Sequence, residues 1–337
     1  MNGKLLNRAE IDPISQDIQR PLWSVMIPTY NCANYLRETL ASVLVQDQGP
    51  DLMQIEVIDD CSTKDDPKAV VEELGKGRVS FYQQPQNVGY IKNFDTCLQR
   101  SRGKLVHLLH GDDWVRNGFY QKMQNLFEIH PDIGAAFCRN IYADFDGHWQ
   151  SLSPLEQHEN GVLTDGFQKI FGGIHIQTVA MVVRRNVYEH LGGFDHRFVC
   201  CFEDREMWVR IAAYYSIGYE TEPLAVYRTM STSSLTKRTM RSGEYARDMH
   251  KGLEIIETDL LPYLAHPVNR EIIKNARENI ALFILRLANQ MLELGDLQAA
   301  FNQIQYALRC KKSFNVMKGL SKIVLKTGKY QAKKLLT

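Results

Sequence analysis

The sequence lacks any apolar run long enough to span a membrane, because no stretch approaches the ~18 consecutive apolar residues that such a helix needs. It also has almost no net charge, with 40 Lys and Arg against 39 Asp and Glu. This balance argues against binding to nucleic acid, which needs clustered positive charge. The first twenty residues include Asp12, Asp17 and Arg20 and show no apolar segment, so we expect no secretory signal.

Cysteine is present, but in no arrangement that indicates a disulfide framework or a zinc site. The seven cysteines are an odd number, and no C-x-x-C pair occurs. We therefore expect a reducing compartment and a cytoplasmic location. The adjacent Cys200 and Cys201 are interpreted as small, partly apolar residues, since neighbouring cysteines seldom share a bond or a metal.

Several cofactor and catalytic fingerprints are also missing. No G-x-G-x-x-G follows the first predicted strand, which argues against a dinucleotide site. Gly103-Lys104 is followed by Leu105, so it is not part of a phosphate-binding P-loop. His158-Glu159 has no second histidine for an H-E-x-x-H zinc site, and no G-x-S-x-G is present.

Short apolar segments alternate with segments of helical spacing up to residue 143. The predicted strands are 23–27, 55–58, 79–82, 105–109 and 134–137, and the predicted helices are 34–46, 67–74, 91–99 and 117–129. Such alternation predicts right-handed crossovers and an α/β fold with a mostly parallel, Rossmann-like sheet flanked by helices. With 337 residues, 44% of them hydrophobic, the chain is long enough for a large domain and a small one.

The second half of the sequence has a different pattern. Residues 144–166 are rich in loop-forming residues, and the Ser/Thr-rich segment 229–236 is predicted to be a mobile loop. Further strands are predicted at 179–183 and 224–227, and further helices at 186–191, 203–214, 244–261, 270–294 and 296–309. The predicted parts are a polar lead-in (1–20), an α/β domain (21–235), an all-α C-terminal extension (236–310) and a basic tail (311–337).

Polar residues follow three of the predicted strands. They are Pro28-Thr29-Tyr30-Asn31, Asp59-Asp60-Cys61-Ser62 and His110-Gly111-Asp112-Asp113. Because ligands of such sheets bind beyond the carboxyl ends of the strands, we expect these clusters to converge on one edge. Some of the acids have a structural explanation, since Asp often caps the next helix and Ser62 with Asp65 fits a capping box.

Asp112 and Asp113 are harder to explain as caps. They follow a strand that is expected to be central, where two adjacent carboxylates repel each other and lose hydration. A divalent cation relieves both costs, and oxygen ligands suit Mg²⁺ or Mn²⁺. The sequence therefore predicts a cation that bridges protein carboxylate and phosphate.

Six motifs in order resemble family 2 glycosyltransferases with the GT-A fold. The resemblance covers roughly residues 22–235, and its order is more specific than any single motif. The motifs are Ser24–Asn31, Glu56–Thr63, Asn87-Val88-Gly89 with Asn93, Gly111-Asp112-Asp113, Gly192-Gly193-Phe194-Asp195 followed by Glu203-Asp204, and Leu224 to Tyr227-Arg228. Two positions depart from the family pattern, since Met230 stands where a histidine is frequent and Cys61 replaces the commoner glycine, which we expect to be tolerated.

The resemblance implies inverting transfer of a sugar from a nucleotide-sugar to a hydroxyl. Carried over by position, Asp60 holds the base or ribose, Asp112 faces the ribose and Asp113 is the metal ligand. The other residues assigned to donor binding are Pro28, Thr29, Tyr30, Asn31, Asn87, Gly89, Asn93 and Arg228, with Tyr30 stacking on the base and Arg228 contacting phosphate. Asp204 matches the general base, supported by Glu203 and Trp208, although acids at a helix start also suit the helix dipole.

The C-terminal part carries a separate charge. Residues 311–337 contain eight Lys and no Asp, Glu or Arg, which leaves 32 basic against 39 acidic residues in the rest of the chain. Apolar residues interleave with these lysines, so the tail is either a packed terminal helix or a peripheral contact with an anionic membrane at the inner face of the plasma membrane. The preceding helices, part of which resembles half a tetratricopeptide unit, are expected to pack on the enzyme or to form a homodimer contact.

These observations predict a metal-dependent, hexosyltransferase-type enzyme. The expected donor is UDP-linked, the expected acceptor is a saccharide or a lipid-linked sugar, and a role in bacterial surface polysaccharide or glycolipid synthesis follows from the resemblance. The alternatives are a nucleotidyltransferase, which would need a basic phosphate loop after the first strand, and a non-catalytic sugar-binding scaffold on the same fold.

Overall fold

The structure, a computed structural model, describes residues 7–15, 17–229, 235–264 and 268–335. These residues form two compact units. The first comprises the described residues within 1–166, 176–196 and 210–231, and the second comprises those within 167–175, 197–209 and 232–337. The predicted domain boundaries at residues 20, 235 and 310 stay a prediction.

The first unit contains all ten described strands. They are β1 (Trp23–Thr29), β2 (Met53–Asp59), β3 (Ser80–Gln83), β4 (Leu105–Leu108), β5 (Trp114–Val115), β6 (Ile133–Ala143), β7 (Trp149–Leu152), β8 (Gly161–Val162), β9 (Met181–Arg184) and β10 (Ser216–Arg228). The helices between them are α1 (Ala33–Leu44), α2 (Pro67–Gly75), α3 (Tyr90–Arg100), α4 (Phe119–Ile129), α5 (Gly166–Gly172), α6 (Arg185–Leu191) and α7 (Glu203–Tyr214), of which α5 and α7 extend into the second unit.

The strands form one sheet in the order β3-β2-β1-β4-β9-β6-β10-β5, with β7 paired to β6 and β8 paired to β10. Strands β1, β2, β3, β4, β6 and β10 run in the same direction, since β9 is antiparallel to both of its neighbours. The predicted mostly parallel α/β sheet is therefore confirmed. Because these six strands point the same way, their carboxyl ends lie at one edge of the sheet.

The core explains why the central strands have no alternating pattern. All seven residues of β1 and all seven of β2 are buried, as expected for parallel strands covered on both faces. The ring of Trp23 meets the ring of Tyr120 edge-on, with centroids 5.1 Å apart. The ring of His107 also meets that of Tyr120, with centroids 5.7 Å apart, and its Nε2 lies 2.9 Å from the carbonyl oxygen of Val179. Burial lowers the pKa of His107 to about 4.

Local signals in the sequence account for several helix ends. Asp66 caps α2 by accepting a hydrogen bond from Ala69 N at 3.0 Å, and Pro67 is the first helical residue. Two helices of the C-terminal part are capped in the same way. The side chain of Asn269 accepts a hydrogen bond from Glu271 N, and that of Asp296 accepts one from Ala299 N. These caps fix the starts of helices that hydrophobic spacing alone locates only approximately.

The second unit is helical. Its C-terminal helices are α8 (Leu235–Ser242), α9 (Glu244–Ile255), α10 (Arg270–Glu293), α11 (Leu297–Cys310) and α12 (Phe314–Leu335). Helix α10 packs against α11 and α12, and α11 packs against α9. The all-α C-terminal extension is thereby confirmed for the described residues. None of the helices in the described part of the chain has the length and apolar character needed to cross a membrane.

Candidate active site

The polar residues that follow β1, β2 and β4 are hydrogen-bonded to one another at the carboxyl edge of the sheet. Asp60 N donates to the Thr29 carbonyl oxygen at 2.9 Å, and Gly111 N donates to the Pro28 carbonyl oxygen at 3.1 Å. Gly111 leaves no room for a side chain, because a Cβ there would lie 2.6 Å from Thr29 Cγ2. The three predicted polar clusters therefore meet at this edge.

Two of the polar side chains hold the loops in shape. The fully buried Asp59 accepts hydrogen bonds from Ser62 N (2.9 Å), Ser62 Oγ (2.5 Å) and Gln83 Nε2 (2.9 Å). Asn31, with a φ of 52°, accepts from the backbone N–H groups of residues 63 and 64, both at 2.9 Å. The carboxylate of Asp59 thus serves the loop itself, as the structural explanation of this acid predicts.

Asp60 is bound differently from its neighbour. Its Oδ1 accepts from Val88 N at 2.7 Å, and its Oδ2 accepts from Gly89 N at 3.0 Å. Asn87 Nδ2 donates to the Asp60 carbonyl oxygen at 3.1 Å, and Asn93 Nδ2 donates to the carbonyl oxygen of residue 58 at 2.9 Å. Burial raises the pKa of Asp60, and the two backbone N–H groups oppose that rise. The predicted donor-binding residues of the second and third loops therefore lie together.

Asp113 is a buried acid whose two carboxylate oxygens have different surroundings. It is 1% exposed, and its Oδ1 accepts from Arg228 N at 2.9 Å. Among the described residues its Oδ2 has no hydrogen-bond partner, and His110 Nδ1 lies 3.9 Å from it. Ligand atoms of His110, Asp112 and Asp113 all lie within 4.8 Å of one another.

The electrostatics of this cluster fit a cation. Burial raises the pKa of Asp113 well above its usual range, and the neighbouring Asp112 raises it further. Loss of hydration likewise raises the pKa of Asp112. A divalent cation that prefers oxygen ligands would keep both carboxylates ionised and would use the unpaired Oδ2. The donor set therefore fits Mg²⁺ or Mn²⁺ held by Asp113, with Asp112 beside it.

Arg228, the last residue of β10, holds the Asp112–Asp113 loop. Its Nε donates to the Asp112 carbonyl oxygen at 3.0 Å, its Nη1 donates to the Phe145 carbonyl oxygen at 2.9 Å, and its Nη2 forms an ion pair with Glu38. The side chain is 3% exposed. Because the three guanidinium nitrogens are engaged by the protein, the geometry favours positioning of the loop, and direct phosphate contact stays a prediction.

The sequence did not signal the residues that surround this arginine. The Arg228 guanidinium lies 4.7 Å from the ring centroid of Tyr35 and 4.5 Å from that of Trp114. Neither aromatic residue belongs to a recognisable motif, and neither Glu38 nor Phe145 does. Only the periodicity of α1, which puts Tyr35 and Glu38 on one side of the helix, could have linked two of them.

The first loop presents one exposed ring. Tyr30 is 48% exposed, whereas Thr29 beside it is 3% exposed. An exposed ring at a strand end can stack on a planar base without losing a packing contact. Cys61 in the second loop has a φ of 61°, the left-handed region that favours glycine, and the structure accommodates cysteine there.

The residues assigned to proton transfer lie in the second unit. Glu203 and Asp204 occupy the first turn of α7, where a carboxylate interacts favourably with the helix dipole. Asp204 Oδ1 accepts from Arg205 N at 2.6 Å, and Trp208 is buried at 2% exposure. Met230, predicted to be a departure from the family pattern, lies outside the described residues, as do positions 231–234 of the predicted mobile loop.

Comparison with known proteins identifies one family. A sequence model described as glycosyl transferase family 2 matches residues 24–192. Among curated proteins, an uncharacterized protein of Mycobacterium tuberculosis is 26% identical over 238 residues, which is 66% of this chain and 72% of that protein. With a second curated relative, the match covers only 40% of that protein's length.

Two solved structures resemble the fold. TarS residues 1–349 of S. aureus, in complex with UDP-GlcNAc, has a TM-score of 0.59 at 14% identity, over 85% of this chain and 90% of that one. The mannosyltransferase PcManGT of Pyrobaculum calidifontis, in complex with GDP-Man and Mn²⁺, has a TM-score of 0.59 at 18% identity, over 93% of this chain and 81% of that one. At such identities the likeness concerns the fold alone.

Proposed function

The chain belongs to glycosyl transferase family 2, and on that premise we propose that it moves a hexose from a UDP-linked sugar to an acceptor hydroxyl, with inversion and with the help of a divalent cation. The observation that carries the metal dependence is Asp113, a buried carboxylate beside a second acid, one of whose oxygens has no hydrogen-bond partner in the described part of the chain. The complex of PcManGT with GDP-Man and Mn²⁺ supports the same proposal.

The proposed metal site consists of Asp113 as ligand and Asp112 as its neighbour. When bound, the cation stabilises the negative charge that the departing nucleoside diphosphate gains. The protein itself holds the loop of Asp112 and Asp113 in a fixed conformation. Arg228 fixes the backbone of the loop through the Asp112 carbonyl oxygen and binds one carboxylate oxygen of Asp113 through its own N–H. The carboxylates are therefore held in place before the donor arrives.

The nucleoside is proposed to bind between the first and third loops. Asp60 holds the backbone of residues 88 and 89 with its two oxygens, and each oxygen keeps a lone pair for a ribose or base donor. The exposed ring of Tyr30 stacks on the base, and Pro28, Thr29 and Asn31 shape the loop around it. The TarS complex with UDP-GlcNAc supports uridine as the base.

Asp204 is proposed as the general base. An acceptor hydroxyl is a poor nucleophile, so a carboxylate must take its proton as the new bond forms. Inversion requires attack from the side opposite to the leaving group, so the base must take the proton of the acceptor hydroxyl on that side of the sugar. Glu203 and Trp208 are proposed to support its placement from the same helix.

The acceptor is proposed to be a saccharide or a lipid-linked sugar at the inner face of the plasma membrane. Helix α12 supports the membrane location, because it has an exposed apolar face in addition to the apolar face that is packed against the protein. Val316 and Ile323 are buried, whereas a stripe of apolar residues spanning roughly 100° of the helix is exposed. This exposed stripe consists of Phe314 (80% exposed), Met317 (49%), Val324 (60%) and Leu325 (68%).

Charge accompanies the exposed stripe. Lys318 and Lys322 are exposed along one of its edges, and no acidic residue occurs between residues 311 and 337. Apolar residues bordered by lysines suit an anionic lipid surface, where the apolar side chains enter the headgroup region and the ammonium groups meet the phosphates. We therefore propose peripheral membrane contact through the tail.

The decisive experiment combines ligand binding with turnover. We expect UDP-sugars to raise the melting temperature of the wild type more in Mn²⁺ than in EDTA, because binding stabilises the folded state in proportion to occupancy. Asp113→Asn should lose the Mn²⁺-dependent increment. Asp204→Asn should keep it but lose sugar transfer by roughly 10²-fold or more. Asp51→Asn, in an exposed turn, is the matched control.

Three results would contradict the proposal in different ways. Donor turnover that is unchanged in EDTA would exclude the metal role. Sugar binding without any turnover would favour the scaffold alternative. Transfer of the nucleotidyl group, detected as release of pyrophosphate or sugar phosphate, would favour the nucleotidyltransferase.

A further inference from the structure

The segment that leads into the proposed base has no regular structure of its own. Residues 197–202 form bends and turns directly before α7, whose second residue is Asp204. The position of a carboxylate in the first turn of a helix depends on the position of the segment that precedes the helix. What holds residues 197–202 therefore decides where Asp204 lies.

Helix α9 of the same unit holds this segment by its polar side chains. Asp248 Oδ2 accepts hydrogen bonds from Val199 N at 2.7 Å and from Cys200 N at 2.9 Å. Asp248 is fully buried, so these backbone N–H groups, together with Arg247 Nε at 4.0 Å from its Oδ1, take the place of water around its carboxyl group. One turn further along α9, Lys251 donates to the Arg197 carbonyl oxygen.

The two adjacent cysteines are part of the same contact. Cys200 Sγ lies 3.5 Å from Asp248 Oδ2, and Cys201 Sγ donates to the Tyr245 carbonyl oxygen at 3.4 Å. Tyr245, Asp248 and the residues one turn later are spaced by three or four positions, so they lie on one face of α9. That face is matched to consecutive residues of the entering segment.

The last residue of the segment is Phe202, which has an unusual backbone conformation. Its φ is 77°, which L residues with bulky side chains rarely adopt. Its ring lies directly on α9 at Gly252, where an added Cβ would be 2.0 Å from Phe202 Cδ1. The Phe202 carbonyl oxygen accepts from Glu206 N at 2.9 Å, so this residue sets the direction in which α7 begins.

We infer that α9 is the positioning element for the proposed base, with Asp248 and Gly252 as positioning residues that act through the segment 197–202 on Asp204. The inference rests on the proposed function, because it takes Asp204 as the base. It assigns to the helical extension an indirect part in sugar transfer, through the placement of Asp204. The buried Asp248 carboxylate and the side-chain-free slot at Gly252 are two independent contacts that lead to the same segment.

The test is Gly252→Ala. The new methyl group cannot coexist with the Phe202 ring, so the ring and the start of α7 must shift. We expect kcat for sugar transfer to fall roughly 10- to 100-fold, as displacements of about 1 Å do in other active sites. The KM for the donor and the Mn²⁺-dependent rise in melting temperature should stay unchanged. Gly166→Ala is the matched control, since a Cβ there meets only ordinary contacts at 3.8 Å or more.

Coupling to Asp204 separates positioning from general damage. In the Asp204→Asn background, Gly252→Ala should cost little further activity, because the group on which it acts is already gone. The double variant Phe202→Leu/Gly252→Ala, which replaces the ring by a smaller side chain, should recover part of kcat. If Gly252→Ala fails to fold, Asp248→Asn serves in its place, with the same expected kcat loss and the same coupling.

Each failure has its own signature. A wild type without donor turnover would overturn the proposed function. The inference alone would be overturned if the wild type turned over the donor, Asp204→Asn were inactive and Gly252→Ala were fully active. Equal losses from Gly252→Ala in both backgrounds would overturn it as well, since they would show an effect that does not pass through Asp204.

Discussion

Adjacent acidic residues in this protein have different surroundings and hence different proposed tasks. Asp59 is saturated by Ser62 and Gln83, whereas Asp60 bridges two backbone N–H groups of the third loop. Asp113 Oδ2 has no hydrogen-bond partner among the residues that the structure describes. The side chains are chemically the same, so the partners alone decide which acid holds a loop and which is free to bind a ligand.

Arg228 carries the first residue-level prediction. Arg228→Lys keeps the charge but cannot donate at once to the Asp112 carbonyl oxygen, the Phe145 carbonyl oxygen and Glu38. We expect the free energy of unfolding to fall by about 1–3 kcal/mol and the response to Mn²⁺ to weaken. Denaturant unfolding and a Mn²⁺ titration of the melting temperature measure the two effects.

The matched control for this prediction is Arg37→Lys. Arg37 forms an ion pair with Glu73 in which both side chains are about half exposed, so its loss should be nearly neutral. Equal stability of Arg228→Lys and Arg37→Lys would show that the buried contacts of Arg228 do not hold the loop.

His107 carries a prediction about pH. Burial lowers its pKa in the folded state to about 4, whereas the unfolded chain has the ordinary value near 6.5. The unfolded state therefore binds the proton first, so stability is lost as the pH falls through 6.5 toward 4. Between about pH 7.5 and about pH 5.5 we expect protonation of the unfolded state at His107 to lower stability by roughly 1 kcal/mol.

The measurement is the free energy of unfolding at several pH values for the wild type and for His107→Gln. The variant should be less stable throughout, because Gln cannot reproduce the contacts with Tyr120 Oη and the Val179 carbonyl oxygen, but its stability should depend less on pH. Exposed His158→Gln is the control and should follow the wild type. Parallel pH curves for wild type and His107→Gln would refute the assignment.

At the scale of elements, the buried strands could be predicted from the sequence, but the full length of β10 and the short strands β5, β7 and β8 could not. The predicted strand 224–227 is the end of β10, which runs from Ser216 to Arg228. Pro223 and Gly218 hide this length in the sequence, since both are rare inside strands. The pairing with β6 accommodates Pro223 through register shifts on either side of it, whereas Gly218 pairs in regular register with Ala136. Strands β5 and β8 were missed because two residues carry no periodicity, and β7 was missed because its four residues are all exposed and show no alternation.

Helix α12 carries the prediction at this scale. The triple variant Met317→Ser/Val324→Ser/Leu325→Ser removes three exposed apolar side chains and none of the buried ones. We expect the wild type to sediment with vesicles of phosphatidylglycerol and phosphatidylcholine, and the variant to stay in the supernatant. High salt, or Lys318→Glu/Lys322→Glu, should weaken wild-type binding, because part of the attraction is electrostatic.

The control places equal changes outside the exposed stripe. Leu294→Ser/Leu297→Ser/Phe301→Ser alters three apolar residues of comparable exposure near the turn between α10 and α11, and should bind vesicles like the wild type. Binding that persists in the stripe variant would refute the membrane proposal. A change from dimer to monomer in that variant, without vesicle binding by the wild type, would assign the stripe to a second copy of the chain.

At the scale of the whole molecule, the second unit is built from separated pieces of sequence. Residues 197–209, which include the proposed base, belong with helices that begin after residue 232. Asp248 and Gly252 supply contacts that residues 197–202 need. The described helices of the all-α part therefore contact a segment that lies, by sequence, within the predicted catalytic domain.

Truncation tests this arrangement. A chain that ends at Gly243 lacks α9–α12, so residues 197–209 lose the hydrogen bonds and the ring contact that hold them. We expect hydrogen exchange in 197–209 to become fast, while β1 and β2 stay protected. A chain that ends at residue 325 keeps α9 and is the control. Unchanged protection of 197–209 in the shorter chain would contradict the expectation.

The sequence by itself determined the alternation of strands and helices apart from β5, β7 and β8. It also determined the mostly parallel sheet and the edge at which Asp60, Asp112 and Asp113 lie. Burial patterns and the polar residues at strand ends are local, so they can be recognised within a few residues. Only the tertiary structure decided which acid keeps a free oxygen, that Arg228 holds the metal-site loop, and that α9 holds the segment before Asp204. These contacts join residues dozens of positions apart, and no periodicity records such pairings.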